Sequence, residues 1–282
     1  MSIYIDPFSD IGFKAIFGRE GQSEEILREF LNEVFRGQPM FDEIKSVTFI
    51  NAERTKDRED SKTIIHDILC TTDSGQRFIV EMQKIEQERF LLRAIYYVGR
   101  GIADQAKRLP GEKPWTYDLL PVAGVFVTTF PITGLPNKLL LHVGLTDLDT
   151  GEMVAKHIRF AFIQTPFFNK SEDECITKFE KIIYTLKNMA TLIAIPFQES
   201  KDDIFARMEE AAKYASLSPE EKAIYDYELK LARDKESQLQ TAHDKGRKES
   251  SLEIAKNLKE AGVDPNIIAS ATNLSLKDIA TL

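Results

Sequence analysis

The sequence predicts an α/β fold, a mixed central sheet flanked by helices, with a C-terminal helical extension. Three observations carry that expectation. The apolar period switches along residues 1–200 between about 3.6, which marks helices, and 2, which marks strands. Leu120–Phe130 is a near-continuous apolar, β-branched run of the kind that sits inside a sheet covered on both faces. Residues 201–250 hold 22 charged side chains and one glycine, a composition that suits solvated helix and cannot fill a core.

Taken in order, Phe13, Ile16 and Phe17 share one helical face in residues 9–18. Gly18 and Gly21 end that helix, and Ser23 is placed to cap a second one carrying Ile26, Leu27, Phe30, Leu31 and Val34. A strand is expected at about Val47–Asn51, then a charged loop from Glu53 to Ser61. Two β-rich runs follow, Thr63–Thr72 and Arg77–Gln83, joined by Asp73-Ser74-Gly75, a hairpin signature. Residues 86–109 predict a long amphipathic helix whose apolar face is Leu91, Ile95, Val98, Ile102 and Leu109. Beyond the buried strand, further strands are expected near Lys138–Val143 and Ile158–Gln164. Ser171-Glu172-Asp173-Glu174 reads as a capping box for a helix running to about Thr191. Ser218-Pro219-Glu220-Glu221 opens a charged helix, and three short helices follow at Leu252–Ala261, Asn266–Ala271 and Leu276–Ala280. The expected organisation is a core domain over 1–200, a charged helical linker over 201–250 and a small helical, helix-turn-helix-like tail over 251–282.

Composition narrows the class. With 37 basic and 45 acidic side chains the net charge is −8, so a uniformly basic nucleic-acid binder is excluded and any such partner must meet a local patch. The 43% apolar content excludes wholesale disorder. Cys70 and Cys175 lie far apart and lack metal-ligand spacing, which favours a reducing, cytoplasmic setting over a disulfide framework. The start MSIYIDPFSD has no basic region followed by an apolar run, and no stretch approaches the roughly 20 apolar residues of a membrane helix, so no membrane partner is expected.

The hairpin is the most informative segment. With its tip near Ser74, Asp67 falls opposite Glu81, and Gln83 lies two residues further along the same face. Like charges directly opposed in a sheet are unfavourable, and both acids sit among apolar neighbours. A divalent cation, Mg²⁺ or Mn²⁺, resolves the conflict, because oxygen ligands converging from two strands suit a hard ion that can activate water against a phosphodiester. A register shifted by one residue instead sends one acid to solvent. The helix after the hairpin adds Arg89, Arg93, Arg100 and Lys107 with Tyr96 and Tyr97 between them, and residues 84–113 carry seven basic against four acidic side chains. Such a stripe suits DNA phosphates, and equally an ordinary solvated helix face. His66, on the opposite face to Asp67, and Cys70 read as packed residues.

Five blocks, Asp6-Pro-Phe-Ser-Asp-Ile-Gly-Phe-Lys-Ala-Ile-Phe-Gly18, His66-Asp67-Ile-Leu, Ile79-Val-Glu81-Met-Gln83, Arg93-Ala-Ile-Tyr-Tyr97 and Leu119-Leu-Pro-Val-Ala-Gly-Val-Phe126, together resemble the Rpn group of recombination-promoting nucleases and transposases in the PD-(D/E)XK nuclease superfamily. The resemblance spans about residues 3 to 200. It implies a restriction-endonuclease-like core and metal-dependent DNA cleavage, with Asp67 and Glu81 as metal ligands and Gln83 where the superfamily name has lysine, a departure shared by the Rpn group. Glutamine can orient water but cannot carry positive charge. Lys14, four residues after Asp10 on the first helix, offers a substitute, with Asp10 reaching the metal; the alternative is a plain i,i+4 surface pair. Arg89, Arg93, Arg100, Lys107 and Tyr97 are the candidate DNA contacts. The expected activity is that of a Mg²⁺-dependent (or Mn²⁺-dependent) DNA endonuclease; the alternative is a weakly active or inactive nuclease fold that binds DNA in mobile-element or defence complexes. The tail reads as a DNA reader or a docking unit, and the charged helix can pair with a second copy to give a homodimer.

Overall fold

The computed structural model describes residues 3–39, 41–50, 67–106, 117–200 and 203–282. Two compact units divide the chain, residues 1–222 and 223–282. Among the described residues no helix is long and apolar enough to cross a membrane.

The first unit opens with helix α1 (Asp10–Phe17), whose N-cap Ser9 accepts the Gly12 N–H. Gly12 is required there by a close approach, since a Cβ would stand 1.9 Å from the Asp6 carbonyl oxygen. The loop from Asp6 is thereby folded onto the first turn of α1, with Ser9 Oγ donating to the Asp6 carbonyl at 2.7 Å. Helix α2 (Glu24–Phe35) begins after Ser23, yet Ser23 makes no side-chain cap. Its hydroxyl is fully buried, accepts from Arg19 N at 3.1 Å and faces the Ala15 carbonyl at 3.4 Å, so it staples the α1–α2 turn instead.

Six strands form one sheet: β1 (Val47–Phe49), β2 (Ile68–Thr72), β3 (Arg77–Gln83), β4 (Val122–Thr128), β5 (Leu140–Thr146) and β6 (Met153–Gln164), in the order β1-β2-β3-β4-β6-β5. β3, β4 and β6 pair in parallel and the outer pairings are antiparallel. This is the expected mixed sheet. β4 is buried at every position, as its unbroken apolar run requires. The predicted extension of β2 back to Thr63 and the charged loop Glu53–Ser61 lie outside the described residues, as do His66 and Lys107.

Between β3 and β4 runs helix α3 (Phe90–Ala103), followed by a 3₁₀ turn over Asp104–Ala106. It starts later than expected, and its buried stripe is Phe90, Ala94 and Val98. Ile95, predicted on the apolar face, is half exposed at 50%. The i+4 stripe wins because Val98 packs over Gly124, where a Cβ would lie 2.7 Å from Val98 Cγ2. Sheet and helix therefore meet more closely than any larger residue at 124 allows.

Helix α4 (Lys178–Asn188) begins seven residues after the expected cap. Its capping box is Thr177 with Glu180, while Ser171 and Glu174 bond to each other in a closed turn before it. Helix α5 (Ile204–Ala212) follows, capped by Asp203. Helix α6 (Pro219–Glu260) is one continuous 42-residue element, so the separate helix expected at Leu252–Ala261 is its last turns. In the second unit, α6 residue Ala255 packs with Ile268 of α7 (Pro265–Thr272) and Ile279 of α8 (Leu276–Thr281).

Candidate active site

Hairpin register decides which side chains meet. β2 and β3 pair Ile68 with Val80 and Leu69 with Ile79, so the next rung sets Asp67 opposite Glu81, as the centred turn predicts. Two backbone contacts fix that rung: Met82 N–H donates to Asp67 Oδ2 at 2.8 Å, and Asp67 N–H approaches Glu81 Oε1 at 3.4 Å. Along β3 the alternation places Ile79, Glu81 and Gln83 on one face. The parallel register sets Glu81 beside Phe126 and Gln83 beside Thr128, so these groups share the face that α3 covers.

Glu81 is buried at 3% exposure, inside a strand whose central residues are all buried. Burial, and then the neighbouring Glu81, push the Asp67 carboxyl well above its ordinary value, to about 7; Asp10 adds to this, while the Met82 N–H and Lys14 oppose it. Two carboxylates held on one rung with so little water repel each other when both are charged, and a cation between them would relieve that repulsion. Their donor set fits a hard divalent ion, which Mg²⁺ in particular accepts from one or two carboxylates with substrate phosphate and water completing the shell. Among the described residues no group of three or more His, Cys, Asp or Glu side chains forms a ready cage. An ion here would rest on Asp67 and Glu81.

Asp10 and Lys14 come close enough to influence Asp67, yet they pair with each other at 2.9 Å, both about half exposed. The i,i+4 contact between them is formed, and both still act on Asp67. Gln83 is half buried at the end of β3, its Nε2 donating to the Met82 carbonyl at 3.1 Å. Lys84, the next residue and one not singled out from the sequence, reaches Asp6 at 2.7 Å. Thr129 ties the same corner together by donating its hydroxyl to the Lys84 carbonyl.

The basic stripe separates into different environments. Arg89 is exposed in the left-handed region (φ 65°), where a residue with a Cβ is strained. Helical periodicity puts Arg93 opposite the apolar face, whereas its guanidinium lies over the rings of Phe90 (5.7 Å) and Tyr97 (5.4 Å) and bonds to Gln87. Stacking on aromatic faces draws it inward. Arg100 pairs with Asp104 at 2.9 Å. Burial raises the Tyr97 hydroxyl above its ordinary range; Arg93, which also bonds to it, opposes the shift, and charge on Glu81 and Asp67 adds to it. Tyr97 is therefore within electrostatic reach of both acids.

Beyond the carboxyl ends of β3 and β4 opens a cleft of about 620 Å³ lined by Glu86, Gln87, Arg89, Leu92, Phe130 and Thr133. Ligands of open α/β sheets gather at such strand ends. Thr133 donates to Glu86 at 3.1 Å across the cleft. A model of the PD-(D/E)XK nuclease family transposases matches residues 7–242. The chain belongs to that family. Searches of the curated proteins and of solved structures return no match. The mixed six-stranded sheet with flanking helices and a C-terminal helical part is consistent with the PD-(D/E)XK fold, and membership supports a nuclease or transposase type of function on DNA. PD-(D/E)XK nucleases use divalent metal ions as a class. In this chain the hairpin brings two carboxylates, Asp67 and Glu81, to one rung.

Proposed function

We propose that this PD-(D/E)XK family protein is a Mg²⁺- or Mn²⁺-dependent DNA endonuclease. The observation that carries the proposal is the opposed pair Asp67 and Glu81, held on the α3 face by the 2.8 Å bond from Met82 N–H. A divalent ion at this pair supplies Lewis acidity toward the phosphodiester and toward water. Asp67 and Glu81 hold it, and the bound charge removes their mutual repulsion. Gln83, with a carbonyl and an amide at the strand end, orients the attacking water. The water oxygen forms a new bond to phosphorus, one P–O ester bond breaks, and the proton the water gives up is made good on the departing oxygen through solvent. Asp10 and Lys14 stand at the rim, where opening of their contact would bring Lys14 to a flanking phosphate. Arg89, Arg93 and Arg100 hold the DNA backbone along α3, and a homodimer would supply the second strand cut.

A weakly active DNA-binding role is favoured by one observation, the neutral Gln83 at the position where the superfamily name has lysine. Plasmid cleavage by purified protein with Mg²⁺, Mn²⁺, Ca²⁺ or EDTA separates the two. Metal-dependent nicking lost in Asp67→Ala and Glu81→Ala is the expected result. Salt-sensitive binding without cleavage under any ion sinks the endonuclease and leaves the binding role.

A further inference from the structure

Gln83 leaves the site short of one positive charge, and α3 supplies a candidate. We propose that Arg93 is the residue that neutralises the scissile phosphate in the transition state, with Tyr97 as the positioning residue that holds its guanidinium at the acid pair. The inference rests on the nuclease proposal and assigns to Arg93 a role in the chemical step, beyond backbone contact.

Three cations lie on the elements around the acid pair, Lys14 on α1, Lys84 just after β3 and Arg93 on α3, and their partners distinguish them. Lys14 is compensated by Asp10 at 2.9 Å and Lys84 by Asp6 at 2.7 Å. Arg93 has no carboxylate partner among the described residues; its bonds go to the neutral groups Gln87 and Tyr97. Its full charge is therefore available to a ligand. Its Nε is moreover shut off from solvent and without a hydrogen-bond partner among the described residues, an orphaned buried donor that a phosphate oxygen would satisfy. Such donors are costly to leave unmade.

Placement agrees with that role. Arg93 stands one helical turn before Tyr97, and α3 lies on the same sheet face as Glu81 and Gln83. The guanidinium lies over both Phe90 and Tyr97, and Phe90 is itself wedged against Phe126 and Phe130 at 5.9 Å each. Gln87, its hydrogen-bond partner, lines the cleft at the strand ends, and Tyr97, on its other side, is within electrostatic reach of both acids, so Arg93 bonds to one residue of the cleft and one beside the acid pair. A planar fork fixed in this way suits phosphate better than a mobile ammonium does.

The test uses the full chain with Mg²⁺ and supercoiled plasmid, measuring the single-turnover rate at saturating protein and DNA affinity in Ca²⁺ separately. Arg93→Gln keeps a planar, stackable group without charge. Its single-turnover rate is expected to fall by about 10²-fold or more at protein concentrations that saturate the DNA, a loss larger than the accompanying loss of affinity. Adding Gln83→Lys to Arg93→Gln returns a cation to the site by another strand and is expected to recover about 10-fold or more of the loss. Tyr97→Phe, with the ring kept, is expected to lower the rate and leave the melting temperature unchanged. Undiminished rate in Arg93→Gln, or a loss confined to affinity, overturns the inference while the nuclease proposal stands. A wild type that cuts with no divalent ion removes both.

Discussion

Met82 donates its backbone N–H to Asp67 Oδ2 at 2.8 Å, so the hairpin ladder continues for one rung through a side chain after its backbone pairing ends. Asp67 is thereby pinned beside Glu81 by the same strand that carries Glu81. An amide can accept the Met82 N–H as well as a carboxylate does, but it removes one of two repelling charges. Asp67→Asn should therefore abolish cleavage and yet raise the melting temperature of the metal-free protein by a few degrees, the scale of about 1 kcal/mol. A cleavage assay and a thermal scan in EDTA check both halves; a lower melting point in EDTA contradicts the electrostatic account.

The raised Asp67 carboxyl also makes a prediction about pH. Its ordinary value is 3.8, which stands for the unfolded chain, and in the fold it is lifted to about 7. Between those values the folded protein holds a proton that the unfolded chain has lost, so folding stability declines as pH rises through this interval and levels off above it. Mg²⁺ displaces that proton and relieves the repulsion. The stabilisation by Mg²⁺ should thus grow from about pH 5 to about pH 7 in the wild type and stay flat in Asp67→Asn, measured as the shift in melting temperature against EDTA. Parallel curves for the two proteins would falsify the assignment.

Capping supplies a case where sequence spacing and structure diverge. Ser171 and Glu174 have the spacing of a capping box, and they do bond to each other, but the chain turns there and α4 begins only after Thr177. Thr177→Ala should cost about 1 kcal/mol in urea unfolding, whereas Ser171→Ala should cost a few tenths, since its partners are exposed. The opposite ranking would place the helix start at Ser171.

The same distinction explains how far the site could be read in advance. The turn residues Asp73-Ser74-Gly75 set the hairpin register, and register alone brings Asp67 to Glu81, because a strand pair has one rung per residue. Gln83 follows from alternation. Arg93 could be named as a cation on a helix, but its inward turn depends on Phe90 and Tyr97 stacking around it, a tertiary choice that helical periodicity does not encode. The buried stripe of α3 was shifted for a similar reason, since the close approach of Val98 to Gly124 is written in a glycine on another strand. Ser23 does stand at the N-cap of α2, but its hydroxyl serves Arg19 rather than the helix.

Gly124 offers the sharpest test of how the sheet positions the chemistry. A Cβ at 124 would lie 2.5 Å from the Phe126 ring and 2.7 Å from Val98 Cγ2, both inside a fully buried cluster with no flexible end to yield. Gly124→Ala should therefore destabilise the protein by about 1–3 kcal/mol, as overpacking does. Relief can come only if α3 moves off the sheet, and α3 carries Arg93 and Tyr97 to the acid pair. Cleavage should accordingly fall further than the loss of folded protein explains, while Mg²⁺ binding, which depends on β2 and β3, should persist. Urea unfolding, single-turnover cleavage and Mg²⁺ titration on the one variant give the three numbers. Equal losses in cleavage and metal binding would place the damage in the hairpin instead of the helix.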